Sequence, residues 1–213
     1  MEDYQKMMNE RTLVLIKPDA IQRGLTGEII TRFERCGLKI VAAKFVMATR
    51  EKLKGHFHAT DEWLRGIGIK TTEGCRKDGV DVEDVMGTTD PLEIGKKIMN
   101  QLYDYLMSGP VMVMILQGIH AVNAVRKKVG YTIPSIAEPG TIRGDFSISS
   151  ADLANVVGSP SRNLVHASSS VADAKLEIVN WFKDNEIVQW EKIDEGIMFV
   201  HGEYTQTKKG NQS

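Results

Sequence analysis

Apolar positions change rhythm several times along the chain, and each change marks an element. Thr12-Leu13-Val14-Leu15-Ile16-Lys17 is a short apolar run ending at Pro18, which predicts a buried strand. From Thr26 to Cys36 the period becomes helical: Ile29, Ile30, Phe33 and Cys36 share a face, and Gly37 suits the C′ position. Leu38 to Ala48 predicts a second strand with Phe45 and Met47 on one face, and Thr49 caps a short helix towards Phe57. Asp90-Pro91-Leu92-Glu93 combines a cap, a proline at N1 and a glutamate at N3, and Ile94, Ile98, Leu102 and Tyr105 follow at helical spacing. Ser108-Gly109-Pro110 ends that helix before a buried strand, Val111 to Leu116. Ala121 to Val129 is a helix stopped by Gly130, with Val122, Val125 and Val129 inward and Arg126 on another side. A last apolar run, Asn163-Leu164-Val165, closes on His166 at a strand end. Ser170 then caps a helix whose stripe is Val171, Ala174, Ile178 and Trp181, with Asp173 in its first turn.

Between these elements the rhythm lapses. Gly66, Gly68, Gly74, Gly79 and Gly87 punctuate a charged stretch. Gly66-Ile67-Gly68-Ile69-Lys70-Thr71 fails the GxxxxGK[ST] spacing of a phosphate loop. Tyr131 to Gly140 carries two prolines and reads as an ordered loop; within Ala151 to Pro160, Asp152 to Val156 reads as a helical turn. The chain is irregular after Trp181, has an apolar island at Met198-Phe199-Val200 that could dock on a neighbouring subunit, and ends in a polar, frayed tail from Thr205. Strand-helix-strand, helical hairpin, strand-helix-strand is an α+β order. No repeat or linker divides the 213 residues.

Composition narrows the function classes. A net charge of −1 gives no support for a general attraction to nucleic acid or membrane, so phosphate binding must come from a local cluster. Cys36 and Cys75 form no CxxC pair, which fits a reducing compartment rather than a zinc or disulfide framework. Met1 to Glu10 is polar and is no secretory signal, and no apolar run nears the ~20 residues of a membrane helix, so a cytoplasmic location is expected. His56 and His58 alone are too few ligands for a metal site.

The chemistry concentrates around His166. A neutral imidazole has a nitrogen lone pair that can attack phosphorus. The following helix N-terminus favours an anion, and Glu177, one step off the apolar stripe, can reach back to orient the imidazole or Ser168. A lone histidine at a strand end is often structural, and a lysine or arginine at a rim is often only a solvated charge; the neighbours decide. Asn163-x-x-His166-x-Ser168-x-Ser170, with Glu177 further on, resembles the active-site signature of the nucleoside diphosphate kinases, with Ala167 and Ser169 replacing the family's glycine and aspartate. Leu15-Ile16-Lys17-Pro18-Asp19-Ala20 is similar to the family's first strand, and Pro139-Gly140-Thr141-Ile142-Arg143-Gly144-Asp145-Phe146 matches it residue for residue.

That resemblance, covering about Thr12 to Trp181, implies a ferredoxin-like βαββαβ antiparallel sheet with helices on one face. It implies a single domain over 12–200 with insertions near 61–90 and 151–160, after an extension at 1–11 and before a flexible tail at 201–213. It implies ping-pong transfer of a γ-phosphoryl group from a nucleoside triphosphate to a nucleoside diphosphate through phosphohistidine at His166. Lys17, Glu177 and Ser168 would assist catalysis. Lys17, Phe57, Arg126, Thr132, Arg143 and Asn163 would bind substrate, and Trp63 is the candidate for stacking on the base. Phe57 stands where the family has tyrosine, at the loss of one hydrogen bond. Mg²⁺ would be held mainly by nucleotide phosphates and water, with no metal ligand from the protein. A homo-oligomer, tetramer or hexamer, is expected, with no specific nucleic acid and no membrane as partner. The departures at Phe57, Ala167 and Ser169 keep two alternatives open: a nucleotide-binding regulator with little turnover, and a phosphohistidine relay to a protein.

Overall fold

The computed structural model describes residues 9–193 and 195; the apolar island at 198–200 and the tail at 201–213 lie outside the described residues. Four strands form one antiparallel sheet in the order β2-β3-β1-β4: β1 Arg11–Ile16, β2 Lys39–Val46, β3 Val111–Gln117 and β4 Val165–Ala167. That is the order of the ferredoxin-like α+β fold. The register sets Leu15 opposite His166 in β4 and opposite Val113 in β3. Side chains alternate along a strand, so Leu13, Leu15 and the following Lys17 share the face of His166.

Helices cover both faces, not one as expected. The reason is in β1, where Thr12 to Ile16 are all wholly buried, so neither face can be left to water. On one side Val14, Ile16, Met114 and Leu116 pack with Ile29 and Phe33 of α2 (Thr26–Glu34) and with Val125 and Val129 of α7 (Ala121–Val129). On the other, Leu13, Leu15, Val113 and Ile115 pack under α3 (Arg50–Phe57), α4 (Asp61–Lys77), α6 (Pro91–Met107) and α10 (Val171–Trp181). Short helices α1 (Pro18–Gln22), α5 (Val82–Met86), α8 (Ile142–Phe146) and α9 (Ala151–Val157) complete the order.

The sequence's capping residues do their expected work. The side chains of Thr49, Asp90 and Ser170 accept from Lys52 N, Leu92 N and Asp173 N. The glycine-punctuated stretch behaves differently from its sequence reading. Helix α4 runs straight through Gly66, Gly68 and Gly74, and breaks come only at Gly79 and Gly87, both left-handed. Two of the helical glycines are sites of close approach. A Cβ on Gly68 would sit 1.9 Å from the Pro91 carbonyl oxygen, and one on Gly95 would sit 2.0 Å from that of Leu64. Helices α4 and α6 therefore cross backbone to backbone, and the helical propensity lost at each glycine is offset by that contact. The irregular segment after Trp181 lies along the open edge of β2, where Val188 N donates to Val41 O and Trp190 Nε1 to Ile40 O. Among the described residues no helix is long and apolar enough to cross a membrane.

Candidate active site

Where β1 and β4 end side by side, the chain opens into a cleft of about 1050 Å³. Nine of the ten residues singled out in the sequence line it: Lys17, Phe57, Trp63, Arg126, Thr132, Arg143, Asn163, His166 and Glu177. The tenth, Ser168, is wholly buried behind Glu177.

His166 is held from below. Its Nε2 is 3.0 Å from Oε1 of Glu177, a carboxylate only 5% exposed. The other carboxylate oxygen accepts from Ser168 Oγ at 2.6 Å, and that hydroxyl accepts from Leu13 N at 3.1 Å. A carboxylate can only accept, so the His166 proton sits on Nε2 and Nδ1 keeps the lone pair. Burial, then the positive charges of Lys17, Arg143 and Arg126, lower the His166 pKa to about 3, so the ring is neutral at pH 7. Burial raises the pKa of Glu177.

The cations are fixed by an internal lattice. Lys17 Nζ, on a residue 7% exposed, donates to Asn163 Oδ1 at 2.6 Å, and Asn163 Nδ2 donates to Thr132 O at 2.9 Å. One asparagine thus ties the end of β1 to the loop after α7. Burial, then Arg143, lowers the Lys17 pKa to about 8. Arg143 Nε donates to Asn163 O, Nη1 to Gly130 O and Nη2 to Val165 O. A guanidinium carries five N–H donors, so these three bonds leave donors to spare. Burial, then Arg126, lowers its pKa to about 10. Arg126 projects from the exposed side of α7 into the same cleft. Across from these cations, Trp63 is 45% exposed on the wall that α4 provides.

The site roles of four residues in this neighbourhood escaped the sequence reading. Leu164 has φ +69, rare for a leucine; its backbone N donates to Asp19 Oδ2, and its O accepts from Lys17 N. This strained link joins the lysine strand to the histidine strand, as backbone strain at functional sites often does. Trp181 and His56 lie behind His166, where the two imidazoles pack edge to face with centroids 4.3 Å apart. Asp19, in the noticed Lys-Pro-Asp run, carried a signal; the tertiary roles of the other three carried none.

His56, His166 and Glu177 each offer one ligand atom, all within 4.8 Å of one another. Two imidazoles and a carboxylate suit a zinc-like ion and not magnesium, which prefers oxygen.

The chain is similar to known proteins over most of its length. Residues 10–63 and 91–187 match the family model described as nucleoside diphosphate kinase. A nucleoside diphosphate kinase of Pyrobaculum aerophilum is 49% identical over 180 residues, 84% of this chain and 98% of that protein. The crystal structure of an NDP kinase from the same organism superposes with a TM-score of 0.82 at 47% identity, covering 85% of this chain and all of that one. A nucleoside-diphosphate kinase from Borrelia burgdorferi, in a transition-state mimic with bound vanadate and ADP, superposes with a TM-score of 0.71 at 35% identity, covering 90% of this chain and 97% of that one. With the histidine, its carboxylate and the cation lattice in one cleft of a ferredoxin-like sheet, the chain belongs to the nucleoside diphosphate kinase family.

Proposed function

We propose that His166 carries the phosphoryl group in a ping-pong exchange between nucleoside tri- and diphosphates. The observation that carries the proposal is the hydrogen bond from His166 Nε2 to buried Glu177, which leaves Nδ1 as a neutral nucleophile beside three cations. Nδ1 attacks the γ-phosphorus in line, the new N–P bond forms as the P–O bond to the β-phosphate breaks, and the diphosphate leaves. A terminal oxygen of a second diphosphate then attacks the same phosphorus, and His166 returns to its neutral state. Such transfer is a matter of positioning and charge neutralisation more than of proton transfer.

Each neighbouring residue has a part to play. Lys17, Arg126 and Arg143 meet the charge that develops on the leaving oxygens. Thr132 donates to a phosphate oxygen, and Lys17 with Asn163 meets the ribose 3′-hydroxyl. Glu177 and Ser168 hold the imidazole tautomer. Trp63 stacks on the base, a contact every base can make, so discrimination among bases is weak. Mg²⁺, if held mainly by the nucleotide phosphates and water rather than by protein ligands, would supply charge neutralisation. The stretches 61–90 and 151–160, read as insertions, build the far wall of the cleft. The ADP and vanadate bound by the Borrelia burgdorferi relative, at 35% identity, support this reading. A homo-oligomer is the expected assembly.

Incubation with γ-labelled ATP and Mg²⁺, followed by a chase with unlabelled GDP or CDP, tests the reading. Acid-labile, base-stable label is expected on the protein, moving to either diphosphate. His166→Ala is expected to abolish both label and exchange. Normal exchange in that variant would rule out the nucleophile. Binding without label would leave a regulator, and label that does not chase would leave a protein acceptor.

A further inference from the structure

Helix α10 grips two imidazoles, not one. Glu177 and Trp181 stand one turn apart on its buried face. Glu177 holds His166 at Nε2, while Trp181 Nε1 donates to Nδ1 of His56 at 3.3 Å. The two rings meet with centroids 4.3 Å apart and planes at 74°. His56 is 3% exposed. Because its Nδ1 accepts the indole N–H, its own proton sits on Nε2, and that nitrogen is buried without a partner among the described residues. Packing alone would not choose such a residue. Phe57, beside it, shows that an apolar ring fits this wall, and a buried unpaired donor costs stability.

We propose that His56, braced by Trp181, is a positioning residue that sets the tilt of the His166 ring. The covalent bond to Cβ and the hydrogen bond at Nε2 anchor that ring at two points and leave it a swing about the line between them. A second ring packed at a steep angle removes that freedom and aims the Nδ1 lone pair along the line of attack. In-line transfer is sensitive to such aim, since a displacement of about 1 Å can slow a reaction about 100-fold. The same tautomer argues against a metal bridging His56, His166 and Glu177. A metal on His56 Nε2 would put the proton on Nδ1, against the Trp181 N–H.

This inference rests on the phosphohistidine reading, and rapid-quench phosphorylation by γ-labelled ATP separates the two. In His56→Ala, label is expected to reach His166 about 10- to 100-fold more slowly, with the Kd for ATP within about twofold of wild type. Trp181→Phe, which keeps a ring but removes the donor, is expected to fall between. His56→Phe, which returns a ring edge to His166, is expected to recover part of the rate. Labelled wild type with unchanged rates in the variants, or losses confined to ATP binding, would overturn this inference alone. Unlabelled wild type would overturn the phosphohistidine reading and this one with it. Nitrogen-15 NMR of histidine-labelled wild type needs no variant to fold: His56 is expected as the Nε2–H tautomer, and a proton on Nδ1 would overturn the bracing role of Trp181.

Discussion

Lys17 is an ammonium taken out of water, and the consequence is a titration close to working pH. With its pKa lowered to about 8, chiefly by burial, it begins to lose its charge just above neutrality. The dependence of kcat/KM on pH reports the free enzyme, so it should fall above about pH 8. Lys17→Arg, whose guanidinium stays charged, should move that fall upward while lowering the absolute rate. No loss is expected between pH 7 and 5, because His166, at about 3, stays neutral across that range. A descent through pH 6.5 would mean a solvated histidine and would contradict the buried pair. Stability should move the other way on acidification. His56 and His166 are both lowered to about 3, so between 6.5 and 3 the unfolded chain binds more protons than the native one. Stability therefore falls as pH drops through that window, and the urea midpoint should be lower at pH 5 than at pH 7. Glu177, with its pKa raised, acts with opposite sign, one group against two. Phe57 offers a test by gain. It lies 6.0 Å from the His166 ring at the cleft wall, where the resemblance to the family implies a tyrosine hydroxyl. Phe57→Tyr should restore one hydrogen bond of about 1 kcal/mol and raise the phosphorylation rate about fivefold, read in the same rapid-quench experiment.

At the scale of elements, the crossing of α4 and α6 decides how the cleft wall stands. Gly68→Ala gains up to about 1 kcal/mol of helix propensity, but its Cβ would lie 1.9 Å from the backbone oxygen of Pro91. Backbone cannot turn aside as a side chain can, and overpacking costs about 1–3 kcal/mol, so the clash wins. A net loss of about 1–2 kcal/mol should lower Tm by about 2–8 °C in calorimetry. Because Trp63 stands on the displaced helix, the KM for nucleotide should rise more than kcat falls. An unchanged Tm would show that the two helices have room to part. This crossing also marks where sequence reasoning stops. Strands β1, β2 and β3, helix α6 and the cap at Ser170 were legible because a short apolar run, a proline at N1 or a serine before a stripe is local chemistry. The glycines of α4 read as breaks because the partner that rewards them, Pro91 O, is over twenty residues away. The candidate site divides the same way. Lys17, Arg143, Asn163, His166 and Glu177 stood in motifs, whereas the roles of His56, Trp181 and the left-handed Leu164 exist only once β4 is laid against β1 and α10.

The whole molecule presents more apolar surface than one chain has use for. Phe45 and Met47, at the end of β2, are 61% and 59% exposed; Val179 on α10 is 77% exposed. On α9, Leu153, Val156 and Val157 are each more than half exposed. Single exposed apolar residues need no explanation, but groups of them on an edge strand and on one helix do. The far end of β2 is already covered by the segment carrying Val188 and Trp190, and among the described residues the Phe45 end is open. A second copy of the chain is the simplest cover, since a symmetric pair buries the same patch twice. Light scattering coupled to size exclusion should therefore give a multiple of the 23.7 kDa chain mass, and the family resemblance sets the expectation at four or six copies. Phe45→Glu with Met47→Glu should shift that mass downward on dilution while the far-ultraviolet circular dichroism is unchanged, because neither side chain belongs to the core. Wild type running at 23.7 kDa would remove the argument from these patches. An assembly unaffected by the double variant would move the interface away from β2, with α9 the next surface to change.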